Sequence, residues 1–160
     1  MGRAWLMPIL TAAFAATAVA VLGATITDIG PWYRSLAQPD WAPPDAVYGM
    51  AWTAIFASTA IAGVTGWLAT PDWREREWLL GMFALNGVLN LLWSLLFFRL
   101  HRPDWALIEV LGLWLSVAVL IVIIWRRSMV GAVLLIPYLL WVTFAGYLNM
   151  TIVNLNGPFS

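Results

Sequence analysis

Five apolar runs, each about 20 residues long, take up most of this 160-residue chain. A helix of that length crosses a hydrocarbon core of roughly 30 Å and satisfies its own backbone hydrogen bonds inside lipid. The composition agrees with this interpretation, because 62% of the residues are hydrophobic and only 10% are charged. The sequence therefore predicts an all-α bundle embedded in a membrane, that is, an integral multi-pass membrane protein.

The five predicted transmembrane helices cover residues 5–26, 47–69, 78–98, 105–125 and 129–153. Because the connections after the first one are short, residues 1–160 are predicted to form a single five-helix domain. Eight basic and eight acidic residues give a formal net charge of zero, so no basic surface for nucleic acid is indicated. The absence of cysteine excludes disulfides and thiolate metal ligands.

The connection between the first two predicted helices has an unusual composition. Residues 31–52 read PWYRSLAQPDWAPPDAVYGMAW, and the adjacent Pro43 and Pro44 cannot lie in a continuing helix. Five aromatic side chains in this stretch are too many for a solvated linker. We therefore expect an ordered aromatic and proline-rich first loop that covers one end of the bundle, with a cavity beneath it.

Polar and aromatic side chains share faces of the predicted helices. Asn86, Asn90, Trp93 and Phe97 fall on one face at 100° per residue. Amides in hydrocarbon need partners, so the two asparagines either join helices by hydrogen bonds or contact a ligand. The sequence leaves both interpretations open.

The last predicted helix has a similar face, formed by Tyr138, Trp141, Ala145 and Asn149. An aromatic face of this kind is either packing or a ligand wall, and the small Ala145 in its middle leaves room for a ligand. In the first predicted helix an alanine recurs every fourth residue from 12 to 24, which predicts close helix packing.

Ionisable side chains inside the spans are rare. Glu109 is predicted to pair with Arg99 or Arg102, or to hydrogen-bond a neighbouring helix. His101, the only histidine, is predicted to be solvated in a polar connection. Without cysteine or a histidine in a span, the bundle lacks the usual axial ligands of haem iron. The sequence predicts no catalytic constellation, no metal site and no required cofactor.

Four motifs, read in chain order, resemble one known family. They are P-W-Y-x-x-L-x-x-P-x-W-x-P-P from Pro31, A-W-T at 51–53, N-x-x-W-S-x-x-F-F from Asn90, and P-Y-x-x-W-x-x-x-A-x-x-L-N-x-x-I-x-x-L-N from Pro137. On these motifs the chain is similar to the tryptophan-rich sensory protein/translocator protein family (TspO/MBR), over residues 31–156. The family's sterol-recognition motif needs a basic residue near the C-terminus, and no lysine or arginine follows Arg127.

The resemblance implies a five-helix membrane bundle, often dimeric, that binds porphyrins, sterol-like lipids and other flat hydrophobic ligands beneath the first loop. Motif positions, together with a basic residue of the loop and the small residue of the last helix, give the predicted ligand-binding set. It consists of Trp32, Tyr33, Arg34, Trp41, Pro44, Trp52, Asn86, Asn90, Tyr138, Trp141 and Ala145.

The function expected from this set is that of a receptor or carrier for tetrapyrroles such as porphyrins and haem precursors, in a bacterial cell envelope. The expected partners are a porphyrin or another hydrophobic small molecule, membrane lipid and a second copy of the chain. Gly81 and Gly87 suggest that the 78–98 helix contacts that copy. Two alternatives remain open, an enzyme that breaks down porphyrin with light or oxygen, and a membrane scaffold or small-solute transporter. Irreversible loss of porphyrin absorbance would favour the enzyme, and a reversible spectral shift would favour binding.

Overall fold

The computed structural model describes residues 2–160 and is built almost entirely from helices. The order is α1 (Gly2–Ile26), α2 (Pro31–Ser35), α3 (Asp45–Ala69), α4 (Trp73–Ser94), a π-helical turn (Leu95–Arg99), α5 (Pro103–Trp125) and α6 (Met129–Asn156). Five of these segments, α1, α3, α4 with its π-helical turn, α5 and α6, are long and apolar enough to cross a membrane. The predicted fold class is confirmed.

Several helix boundaries differ from the predicted ones because of local capping. Helix α4 begins at Trp73, five residues earlier than predicted, since the Asp72 side chain accepts a hydrogen bond from the Glu75 backbone N–H at 3.0 Å. The charged stretch after Asp72 is thus the first turn of a helix and not a connection. Helix α6 continues to Asn156, three residues beyond the prediction. The first loop contains the short helix α2, which the sequence did not suggest.

The best-packed part of the molecule lies where α5 meets α6. One face of α5 and one face of α6 supply most of the side chains with almost no exposed surface, including Val117, Leu120, Ile124, Ala132 and Leu135. Gly131 allows the closest approach, because a methyl group there would lie 2.7 Å from Thr65 Oγ1 and 2.8 Å from Ile124 Cγ2. This region fixes α3, α5 and α6 as a rigid frame.

A second, smaller core lies directly under the first loop. It is centred on Phe97 of the π-helical turn, Ala106 of α5, and Leu148 and Ile152 of α6. Aromatic side chains of the first loop, among them Trp32 and Tyr33, pack onto it. The first loop is therefore ordered because its rings are buried against the ends of three helices.

Candidate functional site

A cavity of about 710 Å³ lies beneath the first loop. Its walls come from the loop and from α1, α3, α4 with the π-helical turn, and α6, whereas α5 contributes none of the lining residues described. The cavity follows α1 from Ala24 down to Ala13, which is roughly 16 Å at 1.5 Å per residue. Its volume and apolar lining are typical of sites for small organic ligands.

Three tryptophans from three different helices line the upper part of the cavity. Trp52 of α3 and Trp141 of α6 meet edge to face, with ring centroids 6.4 Å apart and planes at 85°. Trp93 of α4 stacks on Phe97 with centroids 5.3 Å apart. Indole surfaces facing the same space from different directions form a surface suited to a flat conjugated ligand.

The indole N–H of Trp141 is the unusual polar group of this wall. Its Nε1 atom is buried, and no acceptor within residues 2–160 hydrogen-bonds to it. Buried donors in proteins nearly always have a partner, so this N–H is an unsatisfied donor inside the wall. Asn90 of α4 also lines the cavity and adds an amide to the same upper part.

Below the tryptophans a network of hydrogen bonds ties three helices together. Tyr138 of α6 donates its hydroxyl to Asn86 Oδ1 at 3.1 Å and accepts from Asn90 Nδ2 at 3.1 Å. Asn86 Nδ2 in turn donates to Ser116 Oγ of α5 at 2.9 Å. All four side chains are buried, so this network satisfies polar groups inside the bundle and fixes the position of Asn90.

A smaller pocket of about 230 Å³ lies on the loop side of the cavity. Arg34 and Gln38 line it, while Tyr33, Asp45 and Tyr48 line both spaces. Burial raises the pKa of Tyr33, and the nearby Asp45 carboxylate raises that pKa further, so the phenol remains a neutral donor. The two spaces thus meet at a polar boundary that carries one acid and, beyond it, one base.

The first loop is fastened to the bundle at both of its ends. Asn156 of α6 accepts from the Ala37 backbone N–H at 2.7 Å and donates to the Ala37 carbonyl at 3.0 Å. Trp41 stacks on Tyr147 with centroids 5.2 Å apart, and Trp32 stacks on His101 at 4.1 Å. These contacts hold the loop over the cavity.

Comparison with known proteins identifies the family. The model of the TspO/MBR family matches residues 10–155. The chain belongs to the TspO/MBR family. It is 37% identical over 145 residues to a tryptophan-rich protein TspO of Chlorobaculum tepidum, with 87% of this chain and 89% of that protein covered. It is 33% identical to the protein CrtK of Rhodobacter capsulatus, with 89% of each chain covered. It is also 33% identical to the translocator protein of Bos taurus, over 74% of this chain and 70% of that protein.

In this TspO/MBR protein the structure brings together five of the eleven predicted ligand-binding residues on the cavity wall: Tyr33, Trp52, Asn90, Trp141 and Ala145. Arg34 lines the smaller pocket, and its Nε atom donates to the Ile29 carbonyl at 3.1 Å. The ligand-binding roles of these residues remain predictions.

The other five predicted residues lie away from the cavity wall. Trp32 packs against His101 and Phe97, and Trp41 lies on the outer side of α6 with 45% of its surface exposed. Pro44 is the residue that precedes α3. Asn86 and Tyr138 belong to the buried network, which is the helix-joining interpretation of Asn86. Asn86 reaches Ser116 of α5, and Tyr138 bonds Asn86, so both side chains are held inside the bundle and away from the cavity.

Sequence reasoning missed one whole wall of the cavity. The small residues Ala16, Ala20 and Ala24 of α1, expected to pack against another helix, line the cavity instead. Trp93 and Asn149 lie on the helical faces described from the sequence but were not included in the predicted set, although both line the cavity. Tyr48 also lines the cavity and was not predicted to do so. In the amide orientation that satisfies its neighbours, Asn149 accepts from Trp93 Nε1 at 3.2 Å and donates to the Pro103 carbonyl at 2.9 Å.

The ionisable residues need two further corrections. Glu109 pairs with neither arginine: Arg102 binds Asp104 in a bidentate pair, and Arg99 donates to the carbonyls of Thr25 and Ile26. Both carboxyl oxygens of Glu109 are buried, and neither has a hydrogen-bond partner within residues 2–160. His101 is exposed as predicted, but its ring is stacked on Trp32 and is not simply solvated.

The predicted contact of the 78–98 helix with a second copy also changes in detail. A methyl group at Gly87 would lie 3.4 Å from Val19 Cγ2, so Gly87 faces α1 of its own protomer. Gly81 has open space where a β-carbon would lie. Gly87 is therefore used within the bundle and is not available to a partner.

Proposed function

We propose that this protein is a membrane receptor or carrier that binds tetrapyrroles, and other flat apolar molecules with polar edges, in the cavity under the first loop. The observation that carries the proposal is the wall of three indoles, from Trp52, Trp93 and Trp141, around a cavity of about 710 Å³. A flat conjugated ring would bury its faces against these indoles.

The arrangement of charge supports an oriented ligand. Asp45 is the one ionisable carboxyl among the described lining residues of the cavity, and it would repel the propionates of a porphyrin. Arg34 lines the adjoining pocket beyond Tyr33 and would attract them. We therefore expect the macrocycle to lie in the main cavity with its propionates towards Arg34 and its apolar edge directed down into the membrane.

The lining residues also favour a ligand held by stacking. Among those that the structure describes, none is a histidine, cysteine or methionine. A metal-free porphyrin would be held by stacking on the indoles, and axial ligation of a bound iron by these three side chain types is not expected. Protoporphyrin IX is accordingly the appropriate first probe.

The test is a titration of purified protein with protoporphyrin IX, followed by quenching of tryptophan fluorescence. Trp52→Ala and Trp141→Ala each remove stacking area, and we expect binding about 5- to 150-fold weaker, equal to about 1–3 kcal/mol. Trp105→Ala is the matched control, because Trp105 is 57% exposed on α5 and does not line the cavity. The affinity of the Trp105→Ala variant for protoporphyrin IX should stay within about twofold of that of the parent. If both cavity variants bind as tightly as the parent, the proposed site is wrong.

A further inference from the structure

The cavity extends deeper into the bundle than the three tryptophans do. On α4 the deepest lining residue is Asn90, and on α6 it is Trp141. On α1, Gly23 lies level with this depth, since a methyl group there would be 3.8 Å from Leu91. The lining continues along α1 to Ala13, ten residues and roughly 15 Å further from the first loop.

We call this lower part the deep groove, and the upper part of the cavity, which Trp52, Trp93 and Trp141 line, the chamber. The two parts are built differently. Among the described residues only α1 and α3 line the deep groove, with Ala13, Ala16, Thr17, Ala20, Phe56, Ala57 and Ala60. The chamber has walls from the first loop and four transmembrane segments, whereas the deep groove is a channel between two helices. Because α1 packs chiefly against α3, the width of the channel is set by the small side chains along it.

The chemistry of the deep groove is that of hydrocarbon. Its lining, as far as the structure describes the chain, carries no charged group, and its polar lining residue is Thr17, which is exposed on α1. Ala13 and Ala57 are themselves exposed on the outer surface of the bundle, so the groove is open along one side to the surrounding lipid. A long chain lying in it would have room to continue into the bilayer.

We infer that the deep groove holds the hydrocarbon tail of the ligand whose flat ring occupies the chamber. The ligand class is therefore a tetrapyrrole esterified with a long isoprenoid or fatty alcohol. This inference rests on the proposed function. It follows from the continuity of the two spaces. In such an ester the long alcohol is attached to a propionate, which loses its charge, so this edge of the ring is no longer drawn towards Arg34 and can face the groove.

A phospholipid chain fits the same observations less well. If such a chain entered from the chamber, its phosphate would have to lie among the tryptophans. The charged side chain among the described lining residues is Asp45, an acid, which would repel the phosphate. A tail attached to a neutral ring avoids this cost. Outside the protein the tail would lie in lipid, so its transfer into the groove gains packing more than hydrophobic free energy. The decisive test is therefore steric.

The experiment compares two probes with the same chlorin ring, pheophytin a, which is a phytyl ester, and the methyl ester of pheophorbide a. Both are titrated against detergent-solubilised protein, with ring fluorescence and tryptophan quenching as readouts. Ala13→Phe and Ala57→Phe fill the deep groove, and Ala15→Phe and Ala54→Phe are controls on exposed positions of the same helices that do not line the cavity. Thermal unfolding of each variant checks that the fold is retained.

We expect the parent to bind both esters with affinities within about threefold of each other. The groove variants should bind the phytyl ester about tenfold more weakly and the methyl ester as the parent does, while the controls leave both affinities unchanged. Equal effects on the two esters, or no effect on either, would overturn the inference. If the parent binds neither ester nor protoporphyrin IX, the proposed function itself fails. If it binds the phytyl ester alone, and groove variants abolish that binding, the result supports the tail site in the deep groove and contradicts the proposed stacking of the ring on the tryptophans.

Discussion

The α5–α6 interface and the seam between α1 and α3 contain the same kinds of residue but use them in opposite ways. At the α5–α6 interface Ala132 and Ala106 have no exposed surface, and a methyl group at Gly131 would collide with Thr65 and Ile124. Along the α1–α3 seam Ala16, Ala20 and Ala24 border empty space, and a methyl group at Gly49 would meet no atom within 4 Å. Small residues bring helices together in one region and leave room for a ligand in the other.

The comparison teaches that a stripe of small residues does not by itself indicate close packing. Whether such a stripe packs closely or borders a cavity depends on which element lies opposite it. Helix α5 packs along α6 and α4, whereas the cavity occupies the space between α1 and α6. The frame formed by α3, α5 and α6 would therefore remain rigid while the cavity beside it is empty or occupied.

The largest difference between the two regions should appear when a single methyl group is added to each. Gly131→Ala should lower stability by about 1–3 kcal/mol, since Ile124 and Thr65 are β-branched and cannot turn aside easily. Gly49→Ala should leave stability unchanged or raise it by up to about 1 kcal/mol, since alanine is the better helix former. Thermal unfolding in detergent measures both. Equal losses for the two variants would mean that the seam is as tightly packed as the frame.

The two asparagines of α4 sharpen the comparison, because both belong to the buried network but only Asn90 also lines the cavity. Asn86→Leu removes two hydrogen bonds of the buried network and should cost about 1–2 kcal/mol of stability, with porphyrin affinity retained in the folded fraction. Asn90→Leu should instead reduce porphyrin affinity more than stability, because Asn90 lines the cavity. Unfolding and titration are measured on the same preparations. The reverse pattern would show that the network, and not the cavity wall, determines binding.

The smallest effect is expected at the first loop, which covers the cavity. Asn156→Ala removes both hydrogen bonds to Ala37 and should speed amide hydrogen exchange in residues 36–43 by about fivefold, or about 1 kcal/mol. The stacks at Trp32 and Trp41 limit the effect. Asn154→Ala, at an exposed position two residues away, is the control and should leave exchange unchanged. Identical protection in both variants would mean that the stacks alone hold the loop.

The five spans and the ordered first loop were predictable from the sequence for simple physical reasons. Long apolar runs have one stable form in lipid, and aromatic rings beside prolines need a surface to cover. The side-chain cap that starts α4 at Trp73 was also readable, since Asp72 precedes a turn rich in charge. It was overlooked because the hydrophobic pattern begins only at Trp78.

The cavity wall was less predictable because a helical face does not reveal what stands opposite it. Asn86 and Asn90 lie on the same face of α4, yet Asn86 reaches Ser116 of α5 while Asn90 reaches the cavity. Tyr138 and Trp141 are one turn apart on α6 and differ in the same way. The alanines of α1 carried no signal that distinguishes a ligand wall from a helix contact.

The central claim is that a flat ligand occupies the space between Trp52, Trp93 and Trp141, and filling that space tests it most directly. Ala145 lies on the cavity wall one turn beyond Trp141, so Ala145→Trp would place an indole where the ligand ring should lie. We expect protoporphyrin IX to bind about 100-fold more weakly or not at all, with thermal stability retained because the new side chain enters empty space. Leu140→Trp, at a position that is 65% exposed on the same helix, should bind as the parent does. A folded Ala145→Trp variant that binds protoporphyrin IX with the affinity of the parent would contradict the account.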